Sequence, residues 1–334
     1  MRILLLGGTA WLGRQVVHSA LSRGHDVTCL ARGVSGRVPD GDEVVRAARS
    51  SAGAYDEVAR RQWDVVLDVS RQPGQVRSAV AALGARTASW VFVSSGNAYS
   101  YHRAPGQDER APLLPPLEGD VMESMEVYGE AKVACERAVL RGVGPDRALV
   151  ARVGLIGGPG DVFDRSGWWP LRFARPAADD GAVLVPDDPD LPMSVVDVRD
   201  LADWLVDAGC RGVVGALNAF GPALPLSEHL ATARAVAGHT GPVVRAEPQW
   251  LLDHGVEPWM GERSLPLWLT DPDWRGFGAR DSSRAVAGGL RTRPLAETLA
   301  DVLAWELERE QPAVRRAGLR DDDERALLAA LRSR

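Results

Sequence analysis

Lysine is all but absent from this chain. Of its 334 residues 39 are basic, and a single one of those, Lys132, is a lysine. Arginine serves wherever else a cation is wanted, and the two are not interchangeable: guanidinium is a wide planar fork, ammonium a compact point charge. Cysteine is scarce too. Cys29, Cys135 and Cys210 stand far apart with no C-x-x-C pair among them, which excludes the usual zinc frameworks and a disulfide scaffold. The six histidines have no metal-ligand spacing, so no metal is expected. No apolar run approaches the roughly 20 residues of a membrane span, and Ile3 to Leu6 is too short for a signal peptide. A reduced cytoplasm is the expected compartment. The net charge is −6 and the basic residues are scattered, whereas a nucleic-acid surface needs clustered cations. Neither a nucleic acid nor a membrane is expected as partner.

What the chain does have, in its first half, is alternation. Apolar runs at 2–6, 26–31, 44–47, 65–69, 90–94 and 147–153 read as strands. Between them the 3.6-residue period predicts helices over 12–22, 54–61, 75–83 and 122–140. Strands that alternate with helices imply right-handed parallel crossovers. The fold class expected is α/β, a Rossmann-type doubly wound parallel sheet with a smaller C-terminal substrate-binding cap. Proline, glycine and tryptophan accumulate after Gly157, and eight of the 11 tryptophans lie at or beyond Trp168. The dinucleotide-binding domain is therefore placed at 1–160 plus about 192–210, the cap at 161–191 and 211–312, and a helical tail at 313–334. In the second half, 192–197 reads as a strand leading into a helix over 198–208, and 225–237 and 294–309 read as helices. Asp321 with Glu324 fits a capping box for the tail helix.

Gly7-Gly8-Thr9-Ala10-Trp11-Leu12-Gly13 follows the first strand and opens the first helix. In that context glycines have a purpose: Gly7 for the tight turn, Gly13 for close packing of helix on sheet, and free N–H groups at the helix start for a pyrophosphate. Gly7, Thr9, Ala10, Trp11, Leu12 and Gly13 are the candidate phosphate cradle, with Ala10 where a glycine is commoner. The second strand ends Cys29-Leu30-Ala31-Arg32, without the acid that grips the adenosine ribose in NAD-binding proteins. An arginine there suits a ribose 2′-phosphate, so NADP(H) is favoured over NAD(H); a solvated arginine at a strand end is the competing reading. Tyr128 and Lys132, four residues apart, share one helix face. A cation one turn away favours the phenolate and makes Tyr128 a usable proton donor or acceptor near neutrality.

The glycine turn near residue 7, Ser94-Ser95 at the end of a strand and Tyr128-x-x-x-Lys132 stand in an order that resembles the extended short-chain dehydrogenase/reductase superfamily, with its NAD-dependent epimerase/dehydratase-like members. The resemblance covers most of residues 1–205. It implies that Ser95, Tyr128 and Lys132 are catalytic, with Tyr128 exchanging a proton with the substrate oxygen, Ser95 orienting that oxygen and Lys132 holding the nicotinamide ribose. It also implies that Val69, Ser70, Val153 and Ile156 lie against the cofactor, that Asn97 is near the substrate, and that the protein is a homodimer. The segment at 161–175, which covers the active-site mouth in the family, holds Trp168 and Trp169, readable as pocket walls or as packing. Departures are Gly96-Asn97 in place of an acidic pair, Val153-Gly154 without the family's asparagine, and Ala48 where an acid often contacts adenine. The leading expectation is an NAD(P)-dependent oxidoreductase acting on a small carbonyl or alcohol. The alternatives are an epimerase that retains its nicotinamide, and a cofactor-sensing or RNA-associated protein without the chemistry.

Overall fold

The computed structural model describes residues 1–33, 43–310 and 315–333. The core is a parallel sheet built from β1 (Arg2–Leu6), β2 (Asp26–Ala31), β3 (Glu43–Arg46), β4 (Trp63–Asp68), β5 (Thr87–Ser95), β6 (Ala148–Val153) and a seventh strand, Gly215–Ala219. Their order is Gly215–Ala219, β6, β5, β4, β1, β2, β3. Both faces are covered, which is why β1 is a continuous apolar run rather than an alternating one. Ile3 and Leu5 pack with Val16 and Val17 of α1 (Trp11–Ser22) and with Leu201 and Leu205 of α5 (Val198–Cys210). Leu4 and Leu6 face the other way, onto Val76 and Val80 of α2 (Pro73–Leu83) and Cys135 and Val139 of α3 (Tyr128–Gly142). The architecture is the expected α/β, Rossmann-type one. Strand order reverses between β1 and β4, and a crevice opens there at the carboxyl ends of the strands.

The cap has a core of its own. Trp168, Trp169 and Phe173 of α4 (Arg165–Ala174), Leu230 of α6 (Leu226–Val236), Trp250, Trp268, Leu299 and Leu327 are all buried within it. The last helix, Asp321–Arg332, is fastened to it by Glu324, which accepts the Leu184 N–H and pairs with Arg172; Arg172 also bonds Asp321 and the Leu319 carbonyl.

Several expectations are corrected. Gly215–Ala219, assigned to the cap, pairs with β6 as an edge strand; its small residues carry little β signal, and only pairing defines it. The helix expected over 54–61 is a single turn at Val58–Arg60, because Tyr55 and Arg49 are drawn to the end of β4. α3 begins at Tyr128, six residues later than expected. The segment before it is held extended by Gln72, which bonds both the N–H and the carbonyl of Met122. The strand expected at 192–197 is two short ones with different partners. No capping box forms at the tail: Arg320 is the N-cap, without a side-chain bond, and Glu324 is spent inside the cap. The 312–313 boundary falls outside the described residues.

A buried ion pair closes β4. Arg49 grips Asp68 through two bonds of 2.7 and 2.8 Å, and both side chains are buried. Arg49→Met strands a buried carboxylate and is expected to cost about 3–5 kcal/mol. Arg61→Met, which breaks the exposed pair with Glu43, is expected to cost less than about 1 kcal/mol. Urea denaturation of the two variants measures both.

Candidate active site

The glycine turn sits at the mouth of the crevice. Gly7 has φ +111°, a left-handed backbone that a side chain resists, and a Cβ on it would lie 2.7 Å from Val69 Cγ2. A Cβ on Gly13 would collide with the Gly7 carbonyl. Both glycines are thus required by close packing, Gly7 of the turn on Val69 and Gly13 of α1 on the turn. Ala10 is the N-cap of α1 in extended backbone that any residue adopts, so its methyl is unstrained where a glycine is commoner. Thr9 is buried, and its carbonyl accepts from Arg14. Leu12 is half-buried and packs against the sheet core. Trp11 is buried and donates through Nε1 to the Pro159 carbonyl at 2.8 Å, which ties the turn to the loop beyond β6.

The proton-transfer candidates converge at the carboxyl ends of β4 and β5. Lys132 is 3% exposed, and its ammonium donates to the carbonyls of Ser70 (2.7 Å) and Val93 (2.8 Å). It stands 5.9 Å from the centre of the half-buried Tyr128 ring and 5.0 Å from that of Phe92. An ammonium has three protons; two are spent here, and the third has no partner among the described residues. Ser70 is fixed in turn, since its N–H donates to Asp68 and its hydroxyl to Gln75. Ser94 and Ser95 point to opposite sides, as successive strand residues do. Ser94 donates to Glu136. The Ser95 hydroxyl donates to Asn97 Oδ1 at 3.1 Å and accepts the Asn97 N–H. Asn97 thus aims the Ser95 hydroxyl and is itself half-buried. Val153 is buried at the end of β6, and Ile156 is half-buried and paired with Val196.

Other candidates are placed elsewhere. Trp168 and Trp169 are 2% and 0% exposed, packed edge to face in the cap, with Trp169 Nε1 bonded to the Pro266 carbonyl. They serve packing, so neither walls a pocket. Arg32 is exposed at the end of β2, and Arg46 is exposed at the end of the neighbouring β3.

The sequence reading missed the aromatic side of the site. Phe220 and Phe277 press on Gly96, next to Ser95: a Cβ there would lie 2.6 Å from Phe220 and 3.2 Å from Phe277. Beyond them His102 stacks on Trp274 at 4.2 Å, and Arg280 lies 3.8 Å over the Tyr99 ring. The only local signal was Gly96 and Gly154, whose missing side chains admit Phe220. Behind the site Glu136 holds Arg152 through a buried bidentate pair, and Arg152 and Asn218 hold the Tyr99 hydroxyl. Among the described residues no His, Cys, Asp and Glu cluster could hold a metal, and no helix is long and apolar enough to cross a membrane.

The sequence model described as the NAD dependent epimerase/dehydratase family matches residues 3–211. The chain belongs to that family. Among curated proteins it is 28% identical over 226 residues to the 2'-dehydrokanamycin reductase of Streptomyces kanamyceticus, which covers 64% of this chain and 60% of that one. It is 29% identical over 192 residues to a 3-diazoavenalumate denitrifying reductase of a Streptomyces species, covering 52% of this chain and 62% of that one. The chain thus spans about three fifths of the length of these relatives. Among solved structures, the UDP-glucose 4-epimerase of Thermus thermophilus, determined with NAD, shares the fold with a TM-score of 0.64. It is 19% identical, over 93% of this chain and 100% of that one. The family is dependent on a nicotinamide dinucleotide and contains reductases and epimerases.

His102 accepts a bond from Arg280 through Nδ1. Burial first, and the Arg280 charge second, hold its pKa down to about 4. Burial does the same to His229. In the unfolded chain both protonate near pH 6.5. Between those values the unfolded state binds more protons, so their contribution is complete above about pH 6.5 and is lost progressively toward about 4. Urea midpoints at pH 7.5, 6 and 5 are expected to fall in that order, and His102→Asn is expected to flatten the slope.

Proposed function

We propose that this protein is an NAD(P)(H)-dependent reductase or dehydrogenase that moves hydride to or from a small carbonyl or alcohol, with Tyr128 as acid and base. The observation that carries the reading is the buried Lys132 ammonium, anchored on the Ser70 and Val93 carbonyls beneath Tyr128. A lysine is expensive to bury, and this one stands where a compact cation is needed, in a chain that otherwise uses arginine throughout. When bound, the dinucleotide supplies the hydride chemistry. The N–H groups at the start of α1, with Gly7 and Gly13, would hold its pyrophosphate, and the remaining Lys132 proton its ribose. Val69, Ser70, Val153 and Ile156 would line its path.

Tyr128 then gives its proton to the substrate oxygen, or takes one from it, while the ammonium offsets the negative charge left on the phenol. Ser95 would turn its single hydroxyl proton from Asn97 Oδ1 to the same oxygen and so place it, while the Asn97 N–H still holds its oxygen. That the two curated relatives with the longest matches above are reductases supports net reduction rather than epimerisation. Arg32, with Arg46 at the end of the neighbouring strand, supports NADP(H) over NAD(H), since no acid stands at the close of β2.

Tyr128→Phe is expected to lower turnover roughly 10²- to 10⁴-fold while dinucleotide affinity stays at the parent value. Stopped-flow NADPH oxidation over a panel of ketones and aldehydes, paired with calorimetric binding, measures both. A phenylalanine variant that turns over at the parent rate removes Tyr128 from the chemistry. Parent protein that carries NAD⁺ tightly through purification and consumes no NADPH replaces the reductase with an epimerase. Arg32→Ala is expected to weaken NADPH and leave NADH unchanged.

A further inference from the structure

One cation near the site makes no direct ion pair among the described residues. Arg165 opens α4, and its guanidinium is held between two rings, 4.8 Å from the centre of Phe163 and 5.1 Å from that of Trp259. Its Nε is buried and has no hydrogen-bond partner, and among the described residues the side chain makes no ion pair. The nearby acids make no direct bond to its guanidinium, and Asp161 attracts it only through space. Asp161 accepts the N–H groups of Phe163, Arg165 and Ser166 and the Ser166 hydroxyl. Asp164 binds Arg309 and the Arg316 N–H. Burial pulls the Arg165 pKa down from its usual range, opposed by Asp161 and by Tyr128.

Two residues that fix Arg165 hold unfavourable backbone. Asp164, just before it, has φ 60°, and Trp259, stacked on it, has φ 68°. Left-handed backbone in a tryptophan persists only where the surroundings enforce it; here the Trp259 N–H donates to the Trp268 carbonyl at 2.9 Å. From Trp259 an aromatic surface runs back to the site. Trp259 meets Phe277 edge-on at 6.2 Å, Phe277 meets Phe220 at 5.9 Å, and both phenylalanines press on Gly96 beside Ser95.

We infer that Arg165 is the substrate-anchoring residue of this site and that the substrate is a carboxylic acid with a flat apolar body. The planar fork suits a bidentate carboxylate, the neighbouring rings restrict it before binding, and the half-buried Trp259, backed by the buried Phe277 and Phe220, suits an aromatic or conjugated body. A cationic substrate would meet Arg165 and Lys132 as like charges. This deepens the reductase reading and rests on it.

The test uses the full chain and three probes of one shape: 2-naphthoate, its neutral amide and the cationic 2-naphthylmethylamine. Calorimetry gives each Kd with and without NADP⁺. The acid is expected to bind roughly ten- to a hundredfold more tightly than the amide, the range of a charge-assisted pair. The amine is expected to bind most weakly. Arg165→Gln is expected to erase the preference for the acid while keeping the parent's dinucleotide affinity, and Arg165→Lys to restore it only in part. Equal binding of acid and amide by the parent, which needs no variant, overturns the inference. So does a preference that survives in Arg165→Gln. The two readings fail separately. A parent that binds neither NADPH nor NADH overturns the reductase, whereas one that binds dinucleotide but not the acid preferentially overturns only the carboxylate anchor.

Discussion

A single buried ammonium sets the geometry of the crevice. Lys132 reaches from α3 to the carbonyls of Ser70 and Val93, which lie at the ends of two neighbouring parallel strands. Those carbonyls come together because parallel strands all finish on the same side of a sheet. With Lys132 3% exposed and two of its protons bound, Tyr128, one turn earlier on the same helix, is held beside the ends of those strands. A guanidinium would not substitute. Its fork is broader and its donors lie in one plane, whereas an ammonium can direct its protons to carbonyls on two different strands.

The same helix face carries a second anchor. Glu136, one turn beyond Lys132, takes the Ser94 hydroxyl from β5 and the Arg152 fork from β6. Positions 128, 132 and 136 thus divide the labour along one stripe: a half-buried phenol at the helix start, a cation on strand-end carbonyls, and a carboxylate locked into the sheet. A matching anchor holds the far side. Arg49 and Asp68 fix the end of β4, and Asp68 in turn holds the Ser70 N–H. The chain invests its buried ion pairs where the ends of strands must not drift, which is a positional use of charge rather than a source of net stability.

The cap follows a different logic. Its tryptophans fill its interior, and its last helix is welded on by Arg172, Asp321 and Glu324. What it turns toward the Rossmann domain is a narrower set: Trp259, Phe277 and Phe220, with Arg165 at one end. The sheet half carries the fold of a nicotinamide-dinucleotide-dependent family that contains reductases and epimerases.

The local code was enough for most of the sheet half. A run apolar at every position can only be a strand buried on both faces, glycines at 7 and 13 leave room that no side chain permits, and a tyrosine and lysine four apart on a helix must share a face. These are constraints of neighbouring residues, so they are visible along the chain. The edge strand Gly215–Ala219, the diversion of Glu324 from capping to the cap interior, and the burial of Trp168 and Trp169 in the cap core were settled only by packing. Each depends on residues tens to more than a hundred positions away. An arginine stacked between rings and an arginine paired with a buried glutamate read alike in sequence, and they differ only in what the fold places beside them.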